Sequence, residues 1–236
     1  MADQTQVRPL VEEATWVNQL RDVSCWVPPL DRHLLVISPH PDDETLGAGG
    51  LIANWRRHHL PVTVIAVTDG EGAFPDWSDL AEVRVREQDA ALATLGVAQQ
   101  NILRLKMCDG HVAECADGLL SAVKAVGSEN SLLIAPWQGD FHPDHEVCGK
   151  VAEQVALELG LAHVSYMFWA WHYGTEGLLN GMPTRRFLLD DDLYDTRRLA
   201  LLHHKSQLEP YRGRTSLPWD LLGPAQRRFE TYLVWD

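Results

Sequence analysis

The sequence predicts an α/β protein in which helices cover both faces of a mostly parallel sheet. Short aliphatic runs such as "HLLVIS" (His33–Ser38) and "SLLIAP" (Ser131–Pro136) lack the apolar–polar alternation of half-exposed strands. Strands that are buried on both faces have this composition, and they are typical of parallel sheets. Segments with helical spacing separate the runs along the chain, as the connections between parallel strands require.

The predicted elements follow one another in a regular order. After a short helix within residues 1–30, strands are predicted at 33–38, 61–68, 101–107, 131–136 and 163–171. Helices are predicted at 44–59, 79–95, 118–126, 145–159 and 193–206, and an antiparallel edge strand at 185–189. Gly96 and Gly160 mark the ends of two helices, because glycine accepts the left-handed backbone of a C-cap. No linker-like stretch divides the chain, so residues 1–236 are predicted to form a single domain.

The composition argues against several classes of protein. The 236-residue chain has a formal net charge of −13, which disfavours nucleic acid as a partner because phosphate binding requires a basic surface. No apolar run reaches the roughly 20 residues that span a bilayer. The N-terminal "MADQTQVRPLVEEATW" lacks the basic start and apolar core of a signal peptide. We therefore expect a cytoplasmic protein with no membrane span, and its four cysteines, which form no CxxC pair, are expected to be reduced. The sequence is compatible with a homo-oligomer as well as with a monomer.

Polar loops follow the first four predicted strands. Their sequences are "SPHPDDE", "TDGEG", "CDG" and "WQGDFHPDH". In open α/β sheets, ligands bind beyond the carboxyl ends of the strands. The four loops are therefore expected to meet at one edge of the sheet and to form a site there.

Two of these loops carry residues that suit a metal ion. His40 and Asp43 are three residues apart after one strand, and His142 and His145 are three apart after another. A catalytic zinc ion takes three protein ligands and keeps one position open for water, which His40, Asp43 and one of the later histidines would satisfy. Asp42 would then stay free as the general base that takes a proton from water. Two histidines and one carboxylate also suit ferrous iron.

Each motif alone has a simpler explanation. An HxxD pair is common by chance, and an aspartate between a strand and a helix often caps the helix. The two histidines of "HPDH" would be ordinary in a surface loop. The presence of both motifs, each after a predicted buried strand, favours the metal site.

The motifs resemble those of a known family. "PHPDDETLGAGG" is similar to the signature of the PIG-L/LmbE-like family of zinc-dependent N-acetylglucosaminyl deacetylases. "TDGEG", "RVREQDAALATLGV", "CDG", "GDFHPDH" and "LLHHKSQ" resemble further family segments, so that the likeness runs along nearly the whole chain. The chain departs from the family in "MCDG", where proline is more usual before the aspartate. The resemblance implies a Rossmann-like α/β sandwich.

The resemblance also implies roles for the residues of the first motif. His40 and Asp43, together with His145, would bind zinc. Asp42 would be the general base. Glu44 completes the "HPDDE" core, and its sequence position fits equally a contact to the ligand shell and an acidic residue that favours the helix dipole.

Further roles follow from the other motifs. His142 would stabilise the oxyanion or protonate the leaving amine, and Asp144 would orient its imidazole. Arg84 would contact substrate hydroxyls. Ser206 and Gln207, which match the family's H-x-S-Q segment, would close the site from the C-terminal side.

The aromatic run "YMFWAWHYG" allows two interpretations. Trp171 is predicted to bind substrate by stacking on a sugar ring at the end of the fifth strand, and His172 or Tyr173 would serve as well. Aromatic residues in a strand are more commonly part of the core. Asp69 and Glu71 likewise allow a place in the site or in an ordinary polar loop.

The predicted function is zinc-dependent removal of an N-acetyl group from an N-acetylglucosamine-type sugar or a small-molecule amino-sugar conjugate. A zinc amidohydrolase acting on another N-acyl substrate, such as an acylated antibiotic, is the first alternative. A catalytically silent sugar-binding relative is the second, although His40, Asp42 and Asp43 argue against it. A nucleotide-binding protein is disfavoured because the chain lacks the glycine fingerprint of that class.

Overall fold

The computed structural model describes residues 8–235 and contains one seven-stranded sheet. Its strands are β1 (His33–Ser38), β2 (Val62–Thr68), β3 (Ile102–Met107), β4 (Ser131–Pro136), β5 (Ala162–Tyr166), β6 (Thr184–Leu188) and β7 (Phe229–Val234). The α-helices are α1 (Glu13–Leu20), α2 (Asp43–Arg57), α3 (Leu80–Thr94), α4 (Ala116–Val126), α5 (Pro143–Leu159), α6 (Ala170–Tyr173), α7 (Asp191–Leu201) and α8 (Lys205–Leu208). Residues 1–7, on which the localisation expectation partly depends, lie outside the described part.

The strand order is β3-β2-β1-β4-β5-β7-β6. Strands β1 to β5 pair in parallel, while β7 pairs antiparallel with both β5 and β6. The chain moves outward from β1 through β2 to β3 and then returns to the other side of β1 with β4. The strand order therefore reverses between β1 and β4, and in open α/β sheets the crevice at such a reversal is the usual ligand site.

Alternate residues of β1 enter two separate cores. Leu34 and Val36 pack in a cluster with Leu51 of α2, whereas Leu35 and Ile37 pack in a cluster with residues of α4 and α5. Because successive side chains of a strand point to opposite faces, this division confirms that helices cover the sheet on both sides.

The glycines of α2 allow that helix to lie close to the sheet. A Cβ atom on Gly47 would overlap the ring of Tyr166 in β5, and one on Gly50 would overlap Leu189. The Tyr166 hydroxyl in turn donates a 3.0 Å hydrogen bond to the Ile37 carbonyl. Close helix-to-sheet contact, rather than phosphate binding, accounts for "GAGG".

The fifth predicted strand, 163–171, extends too far. Strand β5 ends at Tyr166 because the buried Asp140 carboxylate accepts hydrogen bonds from the amides of Phe168, Trp169 and Ala170. Those amides cannot pair with a neighbouring strand, and the chain turns into α6.

The predicted helix at 193–206 is two helices, α7 and α8. The backbone leaves helical geometry at His204, whose ψ is 55°, and the His204 ring is fully buried beside the Thr45 hydroxyl. Strand β7 was not predicted from the sequence, whereas the antiparallel edge strand at 185–189 is confirmed as β6, one residue earlier.

Among residues 8–235, no helix has both the length and the apolar composition needed to cross a membrane. The cysteines at 25, 108, 115 and 148 are free thiols.

Candidate active site

The turn between β1 and α2 presents three polar side chains at the carboxyl end of β1. Asp43 begins α2, and its carboxylate accepts a 2.9 Å hydrogen bond from the His40 amide, which fixes the turn. Asp42 has a φ of 138°, a conformation that a non-glycine residue adopts only at an energetic cost. Its carboxylate is nearly buried, and within residues 8–235 no hydrogen bond reaches it.

The start of α5 presents two histidines from the neighbouring strand. His142 is the N-cap of α5, and its Nδ1 accepts a 3.3 Å hydrogen bond from the Asp144 amide. Because Nδ1 is the acceptor, a neutral His142 carries its hydrogen on Nε2. His145 lies in the first turn of α5 and is fully buried.

These residues meet at the reversal point between β1 and β4. Asp43 Oδ2 lies 3.1 Å from His40 Nδ1 and 3.2 Å from His145 Nε2. One ring nitrogen of each of His40, His142 and His145 also lies within 4.8 Å of the other two. The His142 ring faces both other imidazoles, at centroid distances of 4.9 and 5.1 Å.

Additional carboxylates hold the two deeper histidines in place. His145 Nδ1 lies 2.8 Å from Oδ2 of Asp140, a fully buried carboxylate. On the opposite side of the cluster, His40 Nε2 lies 3.1 Å from Asp109 and 3.2 Å from Asp144. Carboxylates that contact the outer nitrogen of a histidine fix its tautomer and orientation, as they do around metal-binding histidines.

The pKa values reflect an excess of negative charge. Burial lowers the pKa of His40, but hydrogen bonds to Asp109, Asp144 and Asp43 outweigh burial and raise this pKa well above its ordinary value. Burial likewise opposes the protonation of His145, yet Asp43 and Asp140 raise its pKa to about 9. The carboxylates thus favour positive charge at this point, supplied by protons or by a cation.

Asp42 and His142 are shifted in the opposite sense, toward their neutral forms. Burial, together with the adjacent Asp43 carboxylate, holds the pKa of Asp42 well above its usual range. Burial and the charges of His40 and His145 lower the pKa of His142 to about 4. His142 is therefore neutral at pH 7 and can donate a hydrogen bond from Nε2.

Beneath Asp42 lies a buried polar network centred on Glu44. The Glu44 carboxylate accepts hydrogen bonds from the Ser38 hydroxyl at 2.6 Å, the Gln88 amide at 2.9 Å and the Thr45 hydroxyl at 3.0 Å. It also faces the Asp42 amide at 3.4 Å. Glu44 therefore supports the strained turn from below.

The cluster fits a divalent metal ion. Among residues 8–235, the Nε2 atom of His145 is buried without a hydrogen-bond partner, although it faces Asp43. Two imidazole nitrogens and one carboxylate oxygen form a donor set that suits zinc, and also ferrous iron. His40 Nδ1, Asp43 Oδ2 and His145 Nε2 would supply these three atoms.

Residues 35–156, which contain both histidine–aspartate motifs, match the PIG-L family, described as GlcNAc-PI de-N-acetylase. The match includes more than half of the chain. The chain belongs to the PIG-L family.

Two relatives of the chain are named as deacetylases of N-acetylated sugar conjugates. A probable N-acetyl-alpha-D-glucosaminyl L-malate deacetylase 2 of Bacillus subtilis is 31% identical, over 51% of this chain and 59% of that protein. A 1D-myo-inositol 2-acetamido-2-deoxy-alpha-D-glucopyranoside deacetylase of a Nocardioides species is 29% identical, over 53% of this chain and 54% of that protein. The chain thus spans between half and three fifths of the length of these relatives.

A crystal structure confirms the PIG-L fold of the chain. The A40926 pseudoaglycone deacetylase superposes with a TM-score of 0.65 and 22% identity, covering 86% of this chain and 97% of that one. The α/β fold predicted from the sequence is therefore confirmed.

The structure brings together the predicted metal residues, Asp42 and His142 in this PIG-L chain. Asp144 is close as well, but it does not orient the His142 ring as predicted. Its carboxylate instead contacts His40 Nε2 and accepts amide hydrogen bonds from Gly110 and Val112. Only the Asp144 amide reaches His142.

The predicted substrate-binding residues are arranged differently from the expectation. Arg84 is buried near Asp42 and donates to the Gly70 carbonyl and the Ser216 hydroxyl. The Ser206 hydroxyl donates a 2.6 Å hydrogen bond to the Glu87 carboxylate. Gln207 is buried and donates to the Pro41 carbonyl, in the turn between β1 and α2.

Trp171 does not join the site. It is only 3% exposed and packs edge-on against Trp16, with ring centroids 5.3 Å apart. Trp169 takes the place next to His142, with centroids 5.9 Å apart and planes 18° apart. The sequence did not predict the short helix α6, which buries Trp171 and leaves Trp169 beside His142.

Two carboxylates that contact the histidine cluster were not singled out in the sequence. Asp140 stands two residues before "HPDH", and Asp109 stands in the "CDG" turn after β3. Both follow the carboxyl ends of parallel strands, and this position is the sequence feature that could have identified them.

Proposed function

We propose that this chain is a metal-dependent hydrolase that removes the N-acetyl group from an N-acetylglucosamine-type sugar conjugate. One observation carries the proposal. His40 Nδ1 and His145 Nε2 converge on the Oδ2 oxygen of Asp43, while the buried Asp42 carboxylate beside them accepts no hydrogen bond from residues 8–235. The names of the Bacillus and Nocardioides relatives, both sugar-conjugate deacetylases, support the choice of substrate class.

His40, Asp43 and His145 would hold the metal, which we propose to be zinc, with ferrous iron as the alternative. When bound, such an ion polarises the amide carbonyl and makes water more acidic. Asp140 and the Asp109–Asp144 pair keep the two imidazoles in the orientation that presents His145 Nε2 and His40 Nδ1 toward Asp43.

Asp42 acts as the general base. It takes one proton from water as oxygen attacks the acetyl carbon, and its raised pKa makes the ionised carboxylate a better acceptor than an exposed aspartate. Asp42 then returns that proton to the amide nitrogen as the carbon–nitrogen bond breaks. The products are acetate and a free amine, and no covalent intermediate forms.

His142 stabilises the negative charge that develops on the amide oxygen. Its Nδ1 accepts the Asp144 amide, so the Nε2 hydrogen points to the other side of the ring. A neutral donor of this kind acts as one arm of an oxyanion hole.

We also propose a cytoplasmic protein that forms one domain over residues 1–236 and acts on small molecules. The net charge of −13 disfavours nucleic acid as a substrate.

Acetate release from a panel of N-acetylated compounds tests the proposal. The panel contains N-acetylglucosamine glycosides, the same glycosides with longer N-acyl groups, and N-acetylated amino acids. We expect metal-dependent acetate release from the first group and none from Asp42→Asn. Preference for a longer acyl group or for the amino acids would identify a different amidohydrolase. Binding of the glycosides without acetate release would identify a sugar-binding relative.

A further inference from the structure

An aromatic wall extends from His142 to the protein surface. We define it as Trp169, Tyr173 and Phe141. The Trp169 ring stacks on both His142 and Tyr173, with centroid distances of 5.9 and 5.8 Å. Phe141 lies 6.4 Å from Tyr173. The wall therefore begins at a residue that faces His40 and His145 and continues outward.

The outer part of the wall is open to solvent. Tyr173 is 37% exposed and Phe141 is 47% exposed, although large aromatic side chains are usually covered. Three aromatic rings beside the histidine cluster therefore form an apolar surface that the core does not use.

The backbone at Phe141 adds an independent observation. Its φ is +59°, in the left-handed region that glycine adopts without cost. The turn must reverse here because Asp140 points into the core while His142 caps α5. Glycine would satisfy this reversal, so the phenyl ring contributes nothing that the backbone requires. Strain of this kind persists at positions whose side chain is used.

We propose that the aromatic wall is the subsite for the group attached to the amino sugar, and that this group carries an apolar ring. The inference rests on the proposed function, since it places the acetamide among His40, His142 and His145. The rest of the substrate then extends past His142, where it meets the exposed rings of Tyr173 and Phe141. Planar aromatic groups stack on such rings in an offset arrangement. An aryl glycoside therefore fits this surface better than a methyl glycoside.

The experiment compares phenyl and methyl N-acetylglucosaminides as substrates of wild-type and variant proteins. Phe141→Gly removes the ring and suits the positive φ, so that folding is preserved. Tyr173→Ala removes the neighbouring ring. We expect each variant to raise KM for the phenyl glycoside about five- to tenfold, in proportion to the loss of one stacking contact. KM for the methyl glycoside and kcat for both should change less than about twofold, because the lost contact is made equally in ground and transition states.

Trp219→Ala is the matched control, because Trp219 is 72% exposed and lies outside the wall. It should leave the preference for phenyl over methyl unchanged. Equal KM values for the two glycosides in the wild type, or equal losses for both in the variants, would overturn the subsite. If no glycoside releases acetate, the proposed function fails. Calorimetric titration of the same two glycosides then tests the wall alone, and equal Kd values would reject it.

Discussion

At the scale of single residues, the adjacent aspartates Asp42 and Asp43 occupy opposite electrostatic environments. Burial opposes the ionisation of Asp43, but His145 and His40 outweigh it and hold the pKa of that carboxyl far below its usual range. Burial raises the pKa of Asp42, and the neighbouring Asp43 charge adds to the shift. Adjacent carboxylates whose pKa values are driven apart can serve different roles, here an anionic ligand and a proton acceptor.

Isosteric asparagine substitutions should therefore fail in different ways. Asp43→Asn removes the only anionic atom of the proposed ligand set, so metal content should fall and activity should recover partly in excess metal. Asp42→Asn should keep the metal and lose turnover by roughly 10²–10⁴-fold, as general-base catalysis predicts. Metal analysis and steady-state kinetics on both variants provide the measurement. Loss of metal from Asp42→Asn with retention by Asp43→Asn would reverse the roles, and two active, metal-loaded variants would reject the hydrolase.

Asp140 is expected to set metal affinity from behind His145. Its carboxylate accepts amides from residues 168–170 and contacts His145 Nδ1 at 2.8 Å. Asp140→Asn removes the charge that orients the ring, and we expect metal affinity to fall about 10- to 100-fold. Competition with a chelator measures the affinity, and circular dichroism checks the fold. Asp191→Asn, on an exposed side chain of α7, is the control. Unchanged affinity in a folded Asp140→Asn protein would contradict this role.

At the scale of elements, the sequence predicted best where burial alone decides. Strands β1 and β4 have the predicted ends, because continuous aliphatic runs have no other stable placement than the sheet centre. The residues after β5 were wrongly predicted to continue the strand. Their amides donate hydrogen bonds to the carboxylate of Asp140, which is distant in sequence. Such a contact depends on tertiary structure and leaves no local pattern. Strand β7 was missed for a related reason. Its Glu230 is polar yet buried, because its carboxylate accepts hydrogen bonds from the amides of Gly50 and Leu51.

The candidate site shows the same division. His40, Asp43, His142 and His145 could be placed together from the sequence, because motif spacing and strand ends determine their position. It could not reveal that the Asp144 carboxylate turns to His40, since the alternatives differ only by a side-chain rotation within one turn. Trp171 and Trp169 are likewise separated only by the unforeseen start of α6.

The loop after β2 and the loop after α8 hold each other through stacked rings. Trp77 and Tyr211 stack with centroids 4.4 Å apart, and Phe74 lies 5.4 Å from Tyr211. Asp76 pairs with arginines of the second loop, but these groups are largely exposed, and exposed pairs contribute little. The first loop also reaches the site, because the Gly72 amide donates to Asp109.

Tyr211→Ala should therefore loosen both loops. We expect a loss of about 1–2 kcal/mol in the free energy of unfolding, from the aromatic contacts removed, and faster proteolysis within residues 70–79. Tyr211→Phe keeps the stack and loses only the 3.2 Å hydrogen bond to the Asp76 carbonyl, so it should lie close to wild type. Denaturant unfolding and limited proteolysis of the three proteins test this. Equal destabilisation by both variants would show that the hydrogen bond, not the stack, joins the loops.

At the scale of the whole molecule, buried neutral histidines make the fold sensitive to acid. Burial lowers the pKa of His163 to about 4 and, together with Arg227, lowers that of His172 to about 3. The unfolded chain binds these protons near pH 6.5, whereas the folded chain does not. The unfolded state therefore gains protons first as the pH falls, and stability decreases from about pH 6.5 down to the folded pKa values.

His172 allows this effect to be isolated from the proposed metal site. It is 1% exposed, both ring nitrogens lack a hydrogen-bond partner within residues 8–235, and its ring meets Phe168 edge-on at 5.0 Å. The wild type should lose roughly 2 kcal/mol through this group between pH 7 and pH 5. His172→Phe removes the titration and sacrifices no hydrogen bond, so its stability relative to wild type should rise by that amount over the same interval. Denaturant unfolding of both proteins at the two pH values measures the difference in their free energies of unfolding. Because the two proteins share every other titrating group, the change in this difference with pH reports His172 alone. A difference between His172→Phe and wild type that is the same at pH 7 and pH 5 would mean that His172 is protonated in the folded protein and that its burial does not exclude the charge.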